Sequence, residues 1–356
     1  MHILRIYPFL PPLPGGMEKH IQRLTQEQRL LGCDVTVVFN RGGETSAGDL
    51  QVLQALNLRS IKPQPLRDLI FYLAVLSKIM SGGVRADIVH VHGDWSAFLF
   101  GRALGWAAGA RVLAASVHGV VRKGRWAWVY KRVLDGYKIV YCTGAGDATY
   151  LQYAGVTGAR WQNSGIDAEF FLEKTAVNDV VTCADVACVA NFFPVKNLAL
   201  VIEIARALPE VNFVLIGDGP QRPALESVCL KDELKNVRFT GRLSAHEISQ
   251  QLQASRVFLS TSISEGTPTA LLEAMACGLP VVTSCSNDYR NLIAAGHNGF
   301  VIDNFAAKNY VKLLRELLTN QPLLVDISMR NKADSKRHAW PEVAMRITNW
   351  MRAEAS

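Results

Sequence analysis

The sequence has no pair of cysteines at CxxC spacing, no low-complexity segment and no hydrophobic run of membrane-spanning length. Its seven cysteines (33, 142, 183, 188, 229, 277 and 285) are an odd number scattered mostly among apolar neighbours. They cannot all pair internally and suit small core residues in a reducing compartment. The greasiest stretch, LIFYLAVLSKIM at 69–80, falls short of the roughly 20 residues a bilayer requires and is interrupted by Ser77 and Lys78. The first residues, MHILRIYPFLPP, lack the charged, apolar and small segments of a secretory leader. The expectation is a cytoplasmic chain with nothing transmembrane.

With 49% hydrophobic residues the chain folds, and its 356 residues suit two cores better than one. A balance of 38 basic against 31 acidic residues gives +7, which favours an anionic partner without naming it. Nucleic acid, an acidic membrane surface and a phosphorylated small molecule all meet that criterion.

HILRIY (2–7) reads as a buried strand, MEKHIQRLTQEQRLL (17–31) as a helix stopped by Gly32, and DVTVVF (34–39) as the next strand. ADIVHVHG and RVLAASVHG read as two further strands, each ending in His-Gly. The pattern restarts with DVACVA (185–190) and the helix NLALVIEIARAL (197–208), whose Leu198, Val201, Ile202 and Ala205 share a face. NFVLIG, RVFLSTS and LPVVTS follow as strands. Alternating strands and helices imply parallel sheets. The expected fold class is α/β, with two doubly wound Rossmann-like domains facing across a cleft. Residues 1–172 would form the first domain and 173–338 the second, with a helix over 339–356 returning to the first. Ligands of such sheets bind beyond the carboxyl ends of the strands, so the chemistry is expected there.

One such loop carries SEGTPTALLEAMACGLPVV (264–282), with Glu265 and Glu273 eight positions apart. Thr267 suits an N-cap and Pro268 the first helical position. The first-turn amides of Thr269, Ala270 and Leu271, with the positive end of the helix dipole, would form an anion site suited to phosphate. Two carboxylates beside it can accept hydrogen bonds from sugar hydroxyls, one on the ribose of a nucleotide and the other on a transferred sugar. A lone Glu here would be an incidental acid on a capped core helix. All nineteen residues together argue against that.

The stretch resembles the E-x7-E signature of retaining glycosyltransferases of the GT-B type, specifically family 4. PPLPGGMEKHIQRL resembles the Gly-Gly loop and first helix of that family, and PVKNLALVIEIA its lysine loop. VLIGDGP, VRFTGRLS, NSGIDAEFF, GHNGFVID and the terminal HAWPEVAMRI are similar as well. The resemblance covers nearly the whole chain.

It implies Glu265, Lys196 and His118 as catalytic residues. Lys196 would neutralise a leaving diphosphate; without the resemblance it would read as a solvated surface lysine. The donor would be bound by Gly15, Gly16, Asn191, Gly217, Gly219, Arg242, Gly266, Thr267, Pro268, Thr269, Ala270, Leu271 and Glu273. Asn191 departs from the pattern, which has Arg there and so a bidentate phosphate contact; Arg242, Arg290 or a residue of the N-terminal domain would have to compensate. His90 and His92 are read as alternating across a strand, so at most one can face the cleft; neither has the partners of a metal site, and at least one is expected to be structural. Asn163 reads as a hinge, a ligand contact or a turn residue. No DxD-like motif stands in a suitable loop, so neither a cofactor nor a catalytic metal is expected, and the nucleotide sugar is substrate. The implied reaction is sugar transfer with retention, the leaving phosphate helping to deprotonate the incoming hydroxyl.

RKGRWAWVYKR (122–132) has five basic residues, three aromatics and no acid. As a helix it sets Trp126, Val129, Tyr130, Val133 and Leu134 on one face. Arg125, Trp128, Lys131 and Arg132 lie around the other. With Arg122 and Lys123 this patch suits anionic lipid headgroups or a diphosphate-linked lipid acceptor, or equally a core helix with a solvated face. The leading expectation is a membrane-peripheral glycosyltransferase of surface polysaccharide, lipopolysaccharide or glycoconjugate synthesis. The alternatives are a transferase for a small soluble acceptor and a non-catalytic sugar-nucleotide-binding subunit. No nucleic acid is expected as partner.

Overall fold

The computed structural model describes residues 1–13, 16–43, 48–118, 121, 124, 126–172, 184–265, 268–284, 289 and 292–356. Backbone contacts divide the chain into two compact units, Met1–Gly165 with Trp340–Ser356, and Ile166–Ala339.

In the first unit, seven strands run β1 (His2–Ile6), β2 (Asp34–Phe39), β3 (Leu50–Gln51), β4 (Ile88–Gly93), β5 (Val112–Val117), β6 (Ile139–Cys142) and β7 (Ala159–Trp161). They join in the order β3-β2-β1-β4-β5-β6-β7, and every pairing is parallel. Among the helices, α1 (Gly16–Leu30), α2 (Gln64–Gly82), α3 (Trp95–Phe98), α4 (Gly101–Ala108), α5 (Trp126–Leu134) and α6 (Ala145–Tyr153) follow in chain order. The run 69–80 lies inside α2, and no helix among the described residues is long and apolar enough to cross a membrane.

A central strand of a parallel sheet is covered on both faces and so is apolar throughout. Ile3, Leu4 and Ile6 of β1 and Ile88, Val89 and Val91 of β4 are fully buried. Arg5 is the exception in β1: it too is fully buried, and its guanidinium donates to Thr25 Oγ1 at 2.5 Å and to the side-chain oxygen of Gln28, both on α1. Gln28 in turn donates to Thr348 Oγ1 at 3.0 Å, on the terminal helix Trp340–Ala355. That helix adds Trp340, Val343, Ala344, Ile347 and Met351 to the first unit's core.

In the second unit, β8 (Ala184–Val189), β9 (Phe213–Ile216), β10 (Val237–Gly241), β11 (Ser255–Ser260), β12 (Val281–Ser284) and β13 (Gly299–Ile302) join in the order β10-β9-β8-β11-β12-β13. All of these pairings are parallel too. Helices α7 (Leu198–Arg206), α8 (Arg222–Lys231), α9 (Ala245–Gln253) and α10 (Thr269–Ala276) connect them, with Ala307–Thr319 and Gln321–Ser335 beyond. The apolar face expected of α7 is buried, and Leu200 and Ile204 are buried with it.

Each sheet therefore reverses its winding once, between β1 and β4 in the first unit and between β8 and β11 in the second. At such a reversal the loops after the two adjacent strands diverge to opposite faces and leave a crevice at the carboxyl ends. The five cysteines at 33, 142, 188, 229 and 277 are free and buried, as expected of core residues. Cys183 and Cys285 lie outside the described residues.

Candidate functional site

The reversal in the second unit brings Lys196 and Glu265 together. Lys196 closes the short 3-10 turn Pro194–Lys196 after β8, and Glu265 follows β11. Lys196 Nζ donates to both carboxylate oxygens of Glu265, at 2.7 and 2.6 Å, with the two side chains 22% and 11% exposed. A third residue, absent from the expectations, joins them: the Tyr289 hydroxyl donates to Glu265 Oε1 at 3.1 Å and lies 2.7 Å from Ser260 Oγ. Burial first, and the Glu265 charge after it, raise the Tyr289 phenol well above its ordinary range, so it stays a neutral donor.

The backbone around this cluster is tied down. Thr261 Oγ1 donates to the carbonyls of Lys196 and Asn197 at 3.1 and 3.0 Å, and the Ile263 amide donates to Val195 O at 2.8 Å. Ser284 Oγ donates to Ser262 O from β12. Asn197 takes the left-handed conformation (φ 50°) between the 3-10 turn and α7, a position Asn tolerates better than most residues.

Helix α10 starts at Thr269, with Pro268 in the N-cap position. This corrects the expected start by one residue. The Leu271 amide, expected to be free for an anion, donates to Pro268 O at 3.1 Å. Thr269 and Ala270 keep first-turn amides with no acceptor inside the helix, so the positive end of α10 still points out of the loop that carries Glu265. Thr267 and Gly266 lie outside the described residues. Glu273 is half-buried one turn into α10. Burial, with the Glu273 charge adding to it, pushes the buried Cys277 thiol up to about 12, so that cysteine is inert.

Gly217 and Gly219 are explained by packing. A Cβ on Gly217 would stand 1.9 Å from Ala190 O, and one on Gly219 would meet Phe192 backbone at 2.8 Å. The loop after β9 lies flush on the loop after β8, where the Phe192 amide donates to Asp218 O at 3.0 Å. Asn191 and Arg242 are both exposed, beside these loops. Arg290 lies outside the described residues. A hollow of about 340 Å³ lined by Ser255, Arg256, Cys277, Pro280 and Lys332 lies at the amino ends of β11 and β12, away from Glu265.

In the first unit the reversal gathers four histidines. His90 and His92, expected to alternate across the strand, are both buried with ring centroids 4.1 Å apart. Residues two apart on a strand share a face, so they cannot alternate. His90 Nε2 lies 2.8 Å from Ser116 Oγ, and His92 Nδ1 lies 3.2 Å from His118 Nε2. His20 of α1, not singled out from sequence, packs edge-on against His118 at 4.9 Å and against Trp340 at 5.3 Å, with Nδ1 2.8 Å from Ser164 Oγ. Burial lowers all four imidazoles, His118 to about 4, so they are neutral at physiological pH.

His20, His92 and His118 each bring a ring nitrogen within 4.8 Å of the others. Neutral imidazole is the right ligand form for a divalent transition metal, and three histidines can make up its protein ligands, but His92 and His118 already hydrogen-bond each other. His92 and His118 line a pocket of about 230 Å³ with Tyr7, Arg67, Asp68 and Asp94.

Gly16 is exposed at the start of α1 with open space where a side chain would sit. Gly15 lies outside the described residues. Asn163 is buried and donates to Ser164 O at 2.7 Å, which fits a turn role. Helix α5 forms with Tyr130 and Leu134 buried, while Trp128 is 68% exposed and Lys131 and Arg132 are exposed. Arg122, Lys123 and Arg125 lie outside the described residues.

Residues 14–170 match the family model "Glycosyltransferase Family 4", and residues 177–334 match "Glycosyl transferases group 1". The sulfoquinovosyl transferase SQD2 of Arabidopsis thaliana is 29% identical over 210 residues, 55% of this chain and 41% of that protein. The putative colanic acid biosynthesis glycosyltransferase WcaL of Escherichia coli is 30% identical over 149 residues, 39% of this chain and 36% of that protein. The chain thus spans less than half the length of these curated relatives. The crystal structure of Anabaena HepE in complex with UDP and glucose superposes with a TM-score of 0.78 at 18% identity, covering 99% of this chain and 100% of that one. The chain belongs to the family 4 glycosyltransferases (glycosyl transferases group 1), with the GT-B fold.

Proposed function

We propose that the protein transfers a sugar, with retention at the anomeric carbon, from a nucleotide-sugar donor to a glycan or lipid-linked acceptor in the synthesis of a bacterial surface polysaccharide, lipopolysaccharide or glycoconjugate. The observation that carries this reading is the Lys196–Glu265–Tyr289 cluster at the β8/β11 reversal, in the loop that leads into α10.

The chemistry follows from charge. A nucleoside diphosphate leaving group develops negative charge as the glycosidic bond breaks, and fixed cations and dipoles aimed at it lower the barrier. Lys196 supplies the cation, and the amides of Thr269 and Ala270 supply the helix end. Glu265 accepts from Lys196 and Tyr289 and so stands as a fixed acceptor for a sugar hydroxyl. Glu273, one turn into α10, takes the ribose hydroxyls. The leaving phosphate oxygen receives the proton of the incoming hydroxyl on the same face, so the chain supplies positioning and charge, with neither metal nor cofactor. The similar proteins support the substrate classes: HepE crystallised with UDP and glucose, and WcaL is named for colanic acid biosynthesis. The exposed Trp128, Lys131 and Arg132 on α5 suit a peripheral contact with anionic lipid at a cytoplasmic membrane face.

Thermal shift against UDP, GDP, ADP and dTDP sugars tests the donor site, because a ligand of the folded state raises the melting temperature. One responder is expected, lost in Glu273→Ala. Lys196→Ala is expected to lower turnover by about a hundredfold. The anomeric proton coupling of the product then reports retention. Absence of any responder would sink the proposal.

A further inference from the structure

We propose that His92 is a positioning residue that fixes the tautomer of His118, so that His118 presents an Nδ1–H donor to a hydroxyl oxygen of the sugar-bearing ligand; this rests on the transferase reading above.

The argument is one of proton accounting. His92 Nδ1 and His118 Nε2 are 3.2 Å apart, so one nitrogen must carry the proton and the other must be bare. Both rings are neutral, because burial disfavours their charged forms. If His118 were the donor, His92 would carry its proton on Nε2. That atom is buried and has no hydrogen-bond partner. A buried N–H without an acceptor is among the rarest defects in folded proteins, whereas an unmet lone pair is tolerated more often.

His92 is therefore the Nδ1–H tautomer, donating to His118 Nε2. His118, with Nε2 accepting, must hold its own proton on Nδ1, and that nitrogen is not among the buried unpartnered atoms.

The pocket lined by His118 also contains Asp94, whose Oδ1 accepts from the Trp95 amide at 2.7 Å and from the Tyr130 hydroxyl at 2.7 Å. The pocket thus offers an imidazole N–H and a carboxylate. A hydroxyl group, which accepts and donates at once, matches that pair. His118 in this form cannot act as a base, since its only bare nitrogen is occupied by His92.

Nitrogen-15 histidine labelling tests this on the intact chain without any substrate, because two-bond couplings distinguish Nδ1–H from Nε2–H rings. At pH 7 both His92 and His118 are expected as Nδ1–H tautomers, assigned by their loss in His92→Leu and His118→Leu. In His92→Leu, His118 is expected to leave the pure Nδ1–H state and transfer to slow about five- to tenfold. His92→Asn, whose amide nitrogen falls near the place of Nδ1, is expected to restore both. An Nε2–H signal for His118 in the native chain, or no change in His92→Leu, overturns the inference. So do histidine signals that shift on treatment with EDTA, since the rings would then be holding a metal. Tautomers as assigned in a chain that transfers no sugar uphold the inference and sink the functional reading.

Discussion

Lys196 and Glu265 lie 69 positions apart in sequence and 2.6 Å apart in space. Neither looked exceptional alone, and only the resemblance singled out Lys196. The neighbourhood of Tyr289, SCSNDYRNL, carries no periodic signal that would mark it. Its role comes from its place in the folded chain, against Ser260 and Glu265. Tyr289→Phe removes the donor between Ser260 and Glu265 and leaves the half-buried carboxylate held by Lys196. The expected cost is about 1–2 kcal/mol of stability, read from urea unfolding, with donor affinity falling less than in Lys196→Ala. Equal stability and unchanged affinity would remove Tyr289 from the site.

At the scale of elements, α5 shows how far a local pattern reaches. Helical spacing set Tyr130 and Leu134 on the buried side and Trp128, Lys131 and Arg132 outside, and the structure has them so. What the outer face touches is a separate matter. If it meets anionic lipid, Lys131→Glu with Arg132→Glu is expected to cut co-sedimentation with phosphatidylglycerol vesicles severalfold, with a steep salt dependence for the native chain. Sedimentation that is unchanged would leave a solvated basic face. The start of α10 shows the opposite limit. Pro268 suits the first helical position by propensity, yet it stands one residue earlier and its carbonyl accepts from Leu271. Helix ends answer to the loop that feeds them, and pattern alone locates them only to within a residue or two.

For the whole molecule, the four buried histidines make stability depend on pH. Their folded values lie below the ordinary 6.5, His118 at about 4, so between those values the unfolded chain binds more protons than the folded one. Stability then rises with pH through that window and is lost as pH falls below about 6.5, by about 1.4 kcal/mol per unit for each imidazole held neutral. Unfolding midpoints from pH 7 to 4 are expected to drop steeply, and the slope to flatten in His90→Phe. A flat profile would mean the rings are charged in the fold.

The sequence by itself determined the α/β class, most of the central strands, the buried cysteines and the family, because these rest on period, composition and short motifs that survive without neighbours. The edge strands β3 and β7 are two and three residues long and leave almost no period to read. Only the tertiary structure decided that His20 of α1 joins His92 and His118, that Gly217 and Gly219 sit against the loop after β8, and that Tyr289 reaches Glu265. Each of these depends on which strand ends become neighbours when the sheet reverses, and sheet order is a long-range choice that no local spacing records.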